Sequence, residues 1–479
     1  MKNISVCNKA ILFKKNSVSF IFSRELSSSL LHDFATNFNH NFHFSTTRLV
    51  KYTTKMINNE DSVFSQVAGN SEDVSIDNLD NFYGWLVGFT DAEGMFYIKL
   101  TESGKNAVFS FKISLHVDDV SVLEFIQKTL GFGKVYTSDK ASFIVSNQKE
   151  LKNLIDIFSK YNLNTTKHLN FLGFKKAFEL YTSNKTKSLD IMEEIKDIKN
   201  RMNKLRVEFV FPQDYKIKLN DYWVLGFIEG EGSFSIVKKN NYKLRFSVGQ
   251  SSKDLKLMES LKGYFVKLAM AKGFNELDIF IGLYKNKMKN YEDVVSIDIR
   301  DSNFIENVII PFFDNLSNSW RSKKYLDYQD FKFVLKLRNK GAQFTEEGVE
   351  VLDLILSQMN NNRLSSSLCS KNSITREQLI KKIEDLLNKP SNLEIKEDGR
   401  IFIKNLNKFY NPGKGSTKVG LFDENGNLEN YFDTITACAK HLGVSNDVVS
   451  RTLINKGKPV SIDSKVFFVK RMATDTILK

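Results

Sequence analysis

Apolar and polar side chains alternate most clearly between Val108 and His116. Phe109, Phe111, Ile113 and Leu115 fall on one face, and Ser110, Lys112, Ser114 and His116 on the other. A period of two predicts a half-buried strand. The pattern returns from Lys243, with Leu244, Phe246 and Val248 inward and Lys243, Arg245 and Ser247 outward. Two sheets with a polar, partly basic outer face are therefore expected. Solvation accounts for such a face in most proteins, but a β-ribbon also fits the major groove of DNA. Later in the chain the signals change. Thr375 and Gln378 make a capping box for a helix running to about Leu387. Asp398-Gly399 and Asn425-Gly426 mark two hairpins. Ala439, Leu442, Val444, Val449 and Leu453 space the buried positions of two helices around a turn at Gly443, a helix-turn-helix pattern.

The chain also repeats itself. "WLVGFTDAEGMFYIKL" (Trp85 to Leu100) returns as "WVLGFIEGEGSFSIVK" (Trp223 to Lys238), an offset of 223 − 85 = 138 residues. The block from Phe111 to Ile126 parallels Phe246 to Leu261, and Thr165 to Phe178 parallels Ser322 to Leu335. Matching tails close both copies. Ordered blocks at domain spacing indicate a duplicated domain. Each copy reads as helix, strand, strand, helix, then one or two more strands and helices, which predicts an α+β fold. Residues 76–206 form the first repeat, 207–219 a linker and 220–363 the second repeat. Residues 364–393 read as a Ser-rich linker with one helix, and 394–479 as a small domain of hairpins and a helix-turn-helix.

Composition narrows the partners. The 479 residues carry 69 Lys+Arg against 56 Asp+Glu, a net charge of +13, which favours nucleic acid or an acidic membrane surface. No apolar run approaches the ~20 residues of a membrane span. Cys7, Cys369 and Cys438 are too few and too scattered for a disulfide framework or a zinc site. Residues 1–75 stand apart: up to Asn59 the only acids are Glu25 and Asp33, among many lysines, arginines and serines. That composition suits an organellar transit segment, hence a mitochondrial location, or an unstructured tail.

The candidate chemistry lies in the two motif helices. Gly88 and Ala92, and likewise Gly226 and Gly230, are four apart and share a helix face. Glycine inside a helix costs ~1 kcal/mol relative to alanine. Close packing of the two small faces would offset it. Gly94 and Gly232 are C-cap candidates, each preceded by a glutamate, Glu93 and Glu231. A carboxylate at a helix C-terminus meets the unfavourable end of the dipole, at a cost of ~0.3–1 kcal/mol. Two such groups ~6 Å apart would repel by roughly 3 kcal/mol at an effective dielectric of ~20. A bound cation resolves the conflict, and hard oxygen ligands suit Mg²⁺.

These features resemble the single-chain LAGLIDADG homing endonucleases. The nine-residue signature stands here as "LVGFTDAEG" (Leu86 to Gly94) and "VLGFIEGEG" (Val224 to Gly232), within a likeness running from about Asp80 to Arg363. The resemblance implies an αββαββα fold per half, motif helices at the interface, and sheets forming a saddle over a long, asymmetric double-stranded DNA site. It implies a monomer with no membrane partner. Glu93 and Glu231, with the adjoining Gly94 and Gly232, would hold Mg²⁺ or Mn²⁺ at the scissile phosphates. Lys167 and Lys324 match a basic residue before the late helix, and Gln250 matches a glutamine ending the second strand. The counterpart of Gln250 in the first copy is Leu115, so the two half-sites are expected to be chemically unequal. Asp91 and Glu229 are expected to be structural. Candidate DNA readers are Lys99, Lys112, Ser114, Lys238, Lys243, Arg245 and Ser247 on the sheets, with Ser445, Asn446, Asp447, Ser450 and Arg451 around the last helix. The C-terminal region looks like modular DNA-binding domains appended to such enzymes. The rival expectation is a maturase that binds group I intron RNA and assists splicing, alone or alongside cleavage. A catalytically dead regulator is a third reading. The two acids favour the nuclease.

Overall fold

The computed structural model describes residues 76–184, 188–274, 282–286, 293–367, 374–396, 400–410, 418–432, 434–454, 459–462 and 465–472, with two short strands near the start. The chain divides into two compact units, Met1–Glu72 and Asp73–Lys479. In the first, β1 (Ile4–Val6) and β2 (Lys9–Ile11) pair antiparallel. The transit expectation otherwise lies outside the described residues.

The second unit opens with α1 (Ile76–Glu93), followed by β3 (Gly94–Leu100), β4 (Ala107–His116), α2 (Val120–Leu130), β5 (Lys134–Thr137) and β6 (Lys140–Val145). Three helices complete the first repeat: α3 (Gln148–Lys160), α4 (Lys167–Ser183) and α5 (Leu189–Asn200). The second repeat runs α6 (Asp221–Glu231), β7 (Gly232–Val237), β8 (Lys243–Ser251), α7 (Leu255–Ala271), β9 (Gly282–Asn286) and β10 (Val294–Ile299). Then α8 (Ser302–Phe304) passes through a π-turn (Ile305–Ile309) into α9 (Ile310–Asn315), followed by α10 (Lys324–Asn339) and α11 (Glu346–Ser357). The strand orders β3-β4-β6-β5 and β7-β8-β10-β9 are the same permutation, both antiparallel. The α+β fold is thus a duplicated one. Each half follows αββαββα and then adds two more helices.

Strand alternation follows the sequence pattern. Phe109, Phe111 and Ile113 are buried, as are Leu244, Phe246 and Val248, while the residues between them are only partly covered. The motif helices differ from ordinary amphipathic ones. In α6 every residue from Trp223 to Glu229 is buried, and in α1 Trp85, Leu86, Val87 and Phe89 are. A helix apolar on all sides belongs in the middle of a core. Here the two lie against each other, with the sheets and outer helices of each repeat around them.

The region after Arg363 corrects one expectation. The capping box at Thr375 and Gln378 forms as read and starts α12 (Arg376–Asn388). This helix is no linker, however: Leu379, Ile383 and Leu386 join the main core against α10 and α11. Buried Asp330 of α10 is bridged by Arg363 and by Arg376 at the head of α12, which pins the junction. The strands β11 (Leu393–Ile395), β12 (Ile401–Ile403) and β13 (Lys408–Phe409) make a small sheet beside the second repeat, tied to it by Asn392 and Lys340. The turn expected at Asp398-Gly399 lies outside the described residues.

A separate core appears only beyond this sheet. Strands β14 (Val419–Phe422), β15 (Leu428–Phe432), β16 (Val460–Ile462) and β17 (Lys465–Arg471) carry α13 (Ile435–His441) and α14 (Asn446–Ile454). Val419, Leu421, Phe432, Cys438, Ala439, Leu442, Val449, Val460 and Val469 form its interior. Gly443 turns between the helices at φ 65°, and Gly426 turns the β14–β15 hairpin at φ 82°. The helix-turn-helix pattern therefore corresponds to two short packed helices on a four-stranded sheet.

Candidate active site

The contact between α1 and α6 is built on backbone. A β-carbon added at Gly88 would sit 2.0 Å from the Trp223 carbonyl oxygen, and one at Gly226 would sit 2.1 Å from that of Trp85. A turn later, a β-carbon at Gly230 would lie 2.2 Å from that of Ala92. Only hydrogen fits at these crossings. All four predicted interface residues, Gly88, Ala92, Gly226 and Gly230, meet there. The helix ends meet as well, since the hypothetical Gly230 β-carbon would be 3.5 Å from Glu93 Oε1. Glu93 and Glu231 are therefore neighbours. Burial raises the pKa of Glu231, Lys167 pulls it down and Glu93 pushes it up again.

Gly94 and Gly232 are glycines for a different reason than a left-handed cap. Gly232 is extended, with φ −74° and ψ 154°, and Gly94 is not among the positive-φ residues. Side chains would strike the preceding helical turn: the Thr90 methyl at 2.5 Å and the Ile228 methyl at 2.6 Å. Glycine lets the chain leave the helix and enter the strand without a connecting loop. That abrupt exit puts each glutamate at the junction of helix and sheet.

Asp91 and Glu229 cross over between the repeats. Trp223 of α6 donates its indole N–H to Asp91 at 2.9 Å, and Trp85 of α1 donates to Glu229 at 2.8 Å. Asp91 also accepts from the backbone of Asn164 and Thr165, and Glu229 from the backbone of Arg321 and Ser322. Those donors lie just before α4 and α10. Each buried acid thus ties its motif helix to the other motif helix and to the start of its own repeat's lysine helix. Burial raises both pKa values, and the hydrogen bonds to the carboxylates oppose it.

This grip delivers the lysines. Lys167 Nζ donates to the carbonyls of Ala92 at 2.6 Å and Thr90 at 3.2 Å, and Lys324 Nζ to those of Gly232 and Gly230. An ammonium at the negative end of each motif helix complements its dipole. Burial lowers both lysine pKa values, and surrounding carboxylates, Glu231 and Glu93 among them, raise them again. The center brings two carboxyl and two amino side chains to the ends of two touching helices.

The two halves of the site differ. Gln250 Nε2 donates to Glu231 at 3.3 Å. Leu115 holds the corresponding register position, two residues beyond the partner of the motif glycine. Beside Lys167 lies a cleft of about 250 Å³ that Lys204, Arg206, Lys253 and Gln250 help to line. The residue matching Lys253 in the first repeat is Asp118, which accepts from Ser365 of the tail that returns from the second repeat. One half-site opens onto this cleft with Lys253 on its lining, whereas at the matching place the other carries Asp118, bonded to Ser365 and paired with Lys323.

The remaining candidates are scattered. Lys99, Lys112, Ser114, Lys243 and Ser247 lie on the outward strand faces, and Ser114 exchanges a hydrogen bond with Ser142 at 3.1 Å. Arg245 is also outward, held at 2.7 Å by Asp298, a carboxylate that Arg300 shares. Lys238 sits past the end of β7 and pairs with Asp353 at 2.7 Å. Ser445, Asn446 and Arg451 are exposed and Ser450 is half-buried on the C-terminal module, with Asn446 bonded to Thr436. Sequence reasoning missed Asp119 and Asp254, which occupy equal positions in two blocks already aligned; that equality was the available signal.

Two half-sites meeting at touching helix ends, each flanked by an antiparallel sheet, define a duplicated endonuclease scaffold. The chain belongs to the LAGLIDADG endonuclease family, whose model matches residues 86–178 and 224–335. The uncharacterized mitochondrial protein RF1 of Saccharomyces cerevisiae is 30% identical over 398 residues, covering 79% of each chain. The probable intron-encoded endonuclease Cox1-I1b of Schizosaccharomyces pombe is 31% identical over 170 residues, 34% of this chain and 44% of that protein. Among solved structures, meganuclease I-SmaMI bound to uncleavable DNA is similar at a TM-score of 0.51 and 26% identity, covering 59% of this chain and 98% of that one. I-LtrWI bound to its target DNA gives 0.51 and 27%, covering 60% and 99%.

Proposed function

We propose that this chain is a site-specific homing endonuclease that hydrolyses one phosphodiester bond in each strand of a long, asymmetric DNA site. The observation that carries the reading is the pair Glu93 and Glu231 at the touching ends of α1 and α6, flanked by Lys167 and Lys324. Structural likeness to meganucleases bound to DNA supports the choice of substrate.

The residues present suit a divalent metal. Among the described residues no three or more His, Cys, Asp or Glu side chains are placed to hold a metal ion together, so the protein offers two carboxylates and nearby carbonyls. That sparse, hard-oxygen set matches Mg²⁺ or Mn²⁺, with waters and substrate phosphates completing the shell. The Gly232 carbonyl expected to assist is engaged by Lys324. When bound, the metal neutralises phosphate charge and supplies a more acidic water. Glu93 and Glu231 would hold it, with Gln250 fixing the rotamer of Glu231. Lys167 and Lys324, beside the two acids, would stabilise the charge that develops on the phosphate. Lys204, Arg206 and Lys253 give the cleft beside Lys167 the charge to seat a phosphodiester.

The outward faces of the two sheets would read base edges, and the C-terminal module would add contacts through Ser445, Asn446, Ser450 and Arg451. The protein would act as a monomer, since one chain carries both half-sites. Its location would be mitochondrial, in line with a relative whose name places it there. The RNA-splicing alternative leaves the paired acids without a task. Cleavage of a randomised duplex library in Mg²⁺, beside a group I intron splicing assay, tests the reading. Recovery of one cleaved sequence is expected. Splicing assistance with no cleaved DNA would overturn it.

A further inference from the structure

Two more carboxylates bear on the lysines, and they come from the wrong repeat. Asp254 stands at the N-cap of α7 in the second repeat, and Asp119 at the N-cap of α2 in the first. An aspartate there ordinarily caps its own helix. Neither does. Asp254 instead accepts the backbone N–H of Thr166 at 2.6 Å and its hydroxyl at 3.1 Å. Asp119 accepts the backbone N–H of Lys323 at 2.9 Å. Thr166 and Lys323 are the N-caps of α4 and α10, immediately before Lys167 and Lys324, and neither caps its helix with its own side chain. The arrangement is reciprocal. Each helix start is held by one acid from its own repeat, Asp91 or Glu229, and one from the other.

We propose that Asp119 and Asp254 are positioning residues that set each catalytic lysine from the opposite repeat, so that cleavage by one half-site depends on the fold of the other. The proposal rests on the reading of Lys167 and Lys324 given above. Its physical basis is that free N–H groups at a helix start bind carboxylates strongly. Removing the acid leaves those donors without a partner and frees the first turn of the helix, which carries the lysine. Burial raises the pKa of Asp254 to about 6 and also raises that of Asp119, as expected for acids kept for a structural contact away from water.

The test uses the full chain and its cognate duplex, with a different label on each strand. Lys167→Met and Lys324→Met first assign a strand to each lysine. Asp254→Ala is then expected to slow the Lys167 strand by roughly 100-fold, the penalty for a displacement of ~1 Å, and to leave the other nearly unchanged. Asp119→Ala should do the converse. Asp254→Asn and Asp119→Asn keep an acceptor oxygen and should recover most of the rate. Asp254→Leu and Asp119→Leu, which keep the bulk and lose the acceptor, carry the same crossed comparison should the alanine variants fail to fold. Amide hydrogen exchange reads the contact without catalysis: Asp254→Ala should expose Thr166, and Asp119→Ala should expose Lys323. Equal slowing of both strands, slowing of the same-repeat strand, or no slowing would overturn the proposal. If the lysine variants cut both strands at the parental rate, the reading of the lysines falls and takes this proposal with it, whatever the exchange data show.

Discussion

At Gly88 and Gly226 a methyl group has nowhere to go, because the obstruction is the carbonyl of the facing helix. Overpacking typically costs ~1–3 kcal/mol, and backbone yields less than side chain. Gly88→Ala or Gly226→Ala is therefore expected to destabilise the protein by about 3 kcal/mol or more in urea unfolding. Gly263, inside α7 with open space around its β position, supplies the contrast: Gly263→Ala should stabilise by ~0.5–1 kcal/mol. The helical pattern of the motifs showed which glycines shared a face. It could not show that Gly94 and Gly232 serve an extended exit, because spacing is blind to φ. His168, following Lys167 and packed on Tyr215, has its pKa pushed down to about 4 by burial. The unfolded chain takes up that proton near pH 6.5, so stability is full above 6.5 and is lost as pH falls toward 4. His168→Phe should lose about 2 kcal/mol less than the parent between pH 7 and 4.5, by unfolding at both values. An equal loss in both proteins would show that His168 does not titrate as described.

Among the elements, the late helices α4 and α10 matter most, because their first turns carry Lys167 and Lys324. Their surroundings are unequal. Gln250, Lys253 and an open cleft accompany the Lys167 side, whereas Leu115 and Asp118 face its counterpart. We expect the strand assigned to Lys167 to be cut first and a nicked intermediate to accumulate. A time course with both strands labelled checks this, and simultaneous cleavage would contradict it. The Gln250–Leu115 difference was legible from the aligned repeats. The crossed carboxylates were not: Asp254 and Thr166 are 88 residues apart, and nothing local to an N-cap aspartate says that it points away from its helix.

At the scale of the molecule, the boundary after Arg363 moves. An amphipathic helix behind a Ser-rich stretch reads as a linker, because sequence shows its apolar stripe but not what covers it. Here α12 closes the second repeat. A chain ending at Arg363 would expose Leu379's partners and leave Asp330 with one arginine, and burial of each lost apolar side chain is worth roughly 2 kcal/mol. Truncation after Tyr410 removes only residues beyond β13, including the module with its own core. That shorter protein should keep cleavage, bind DNA more weakly and show a flatter salt dependence, measured by titration at several salt concentrations. The duplication itself was plain in four ordered blocks, since one fold repeated must repeat its pattern. The central claim is that Glu93 and Glu231 act together on DNA. Glu93→Gln and Glu231→Gln, each assayed for binding and cleavage on one cognate duplex in Mg²⁺, test it most directly. Affinity near that of the parent with double-strand cleavage abolished is the predicted result; parental cleavage by either variant would contradict the account.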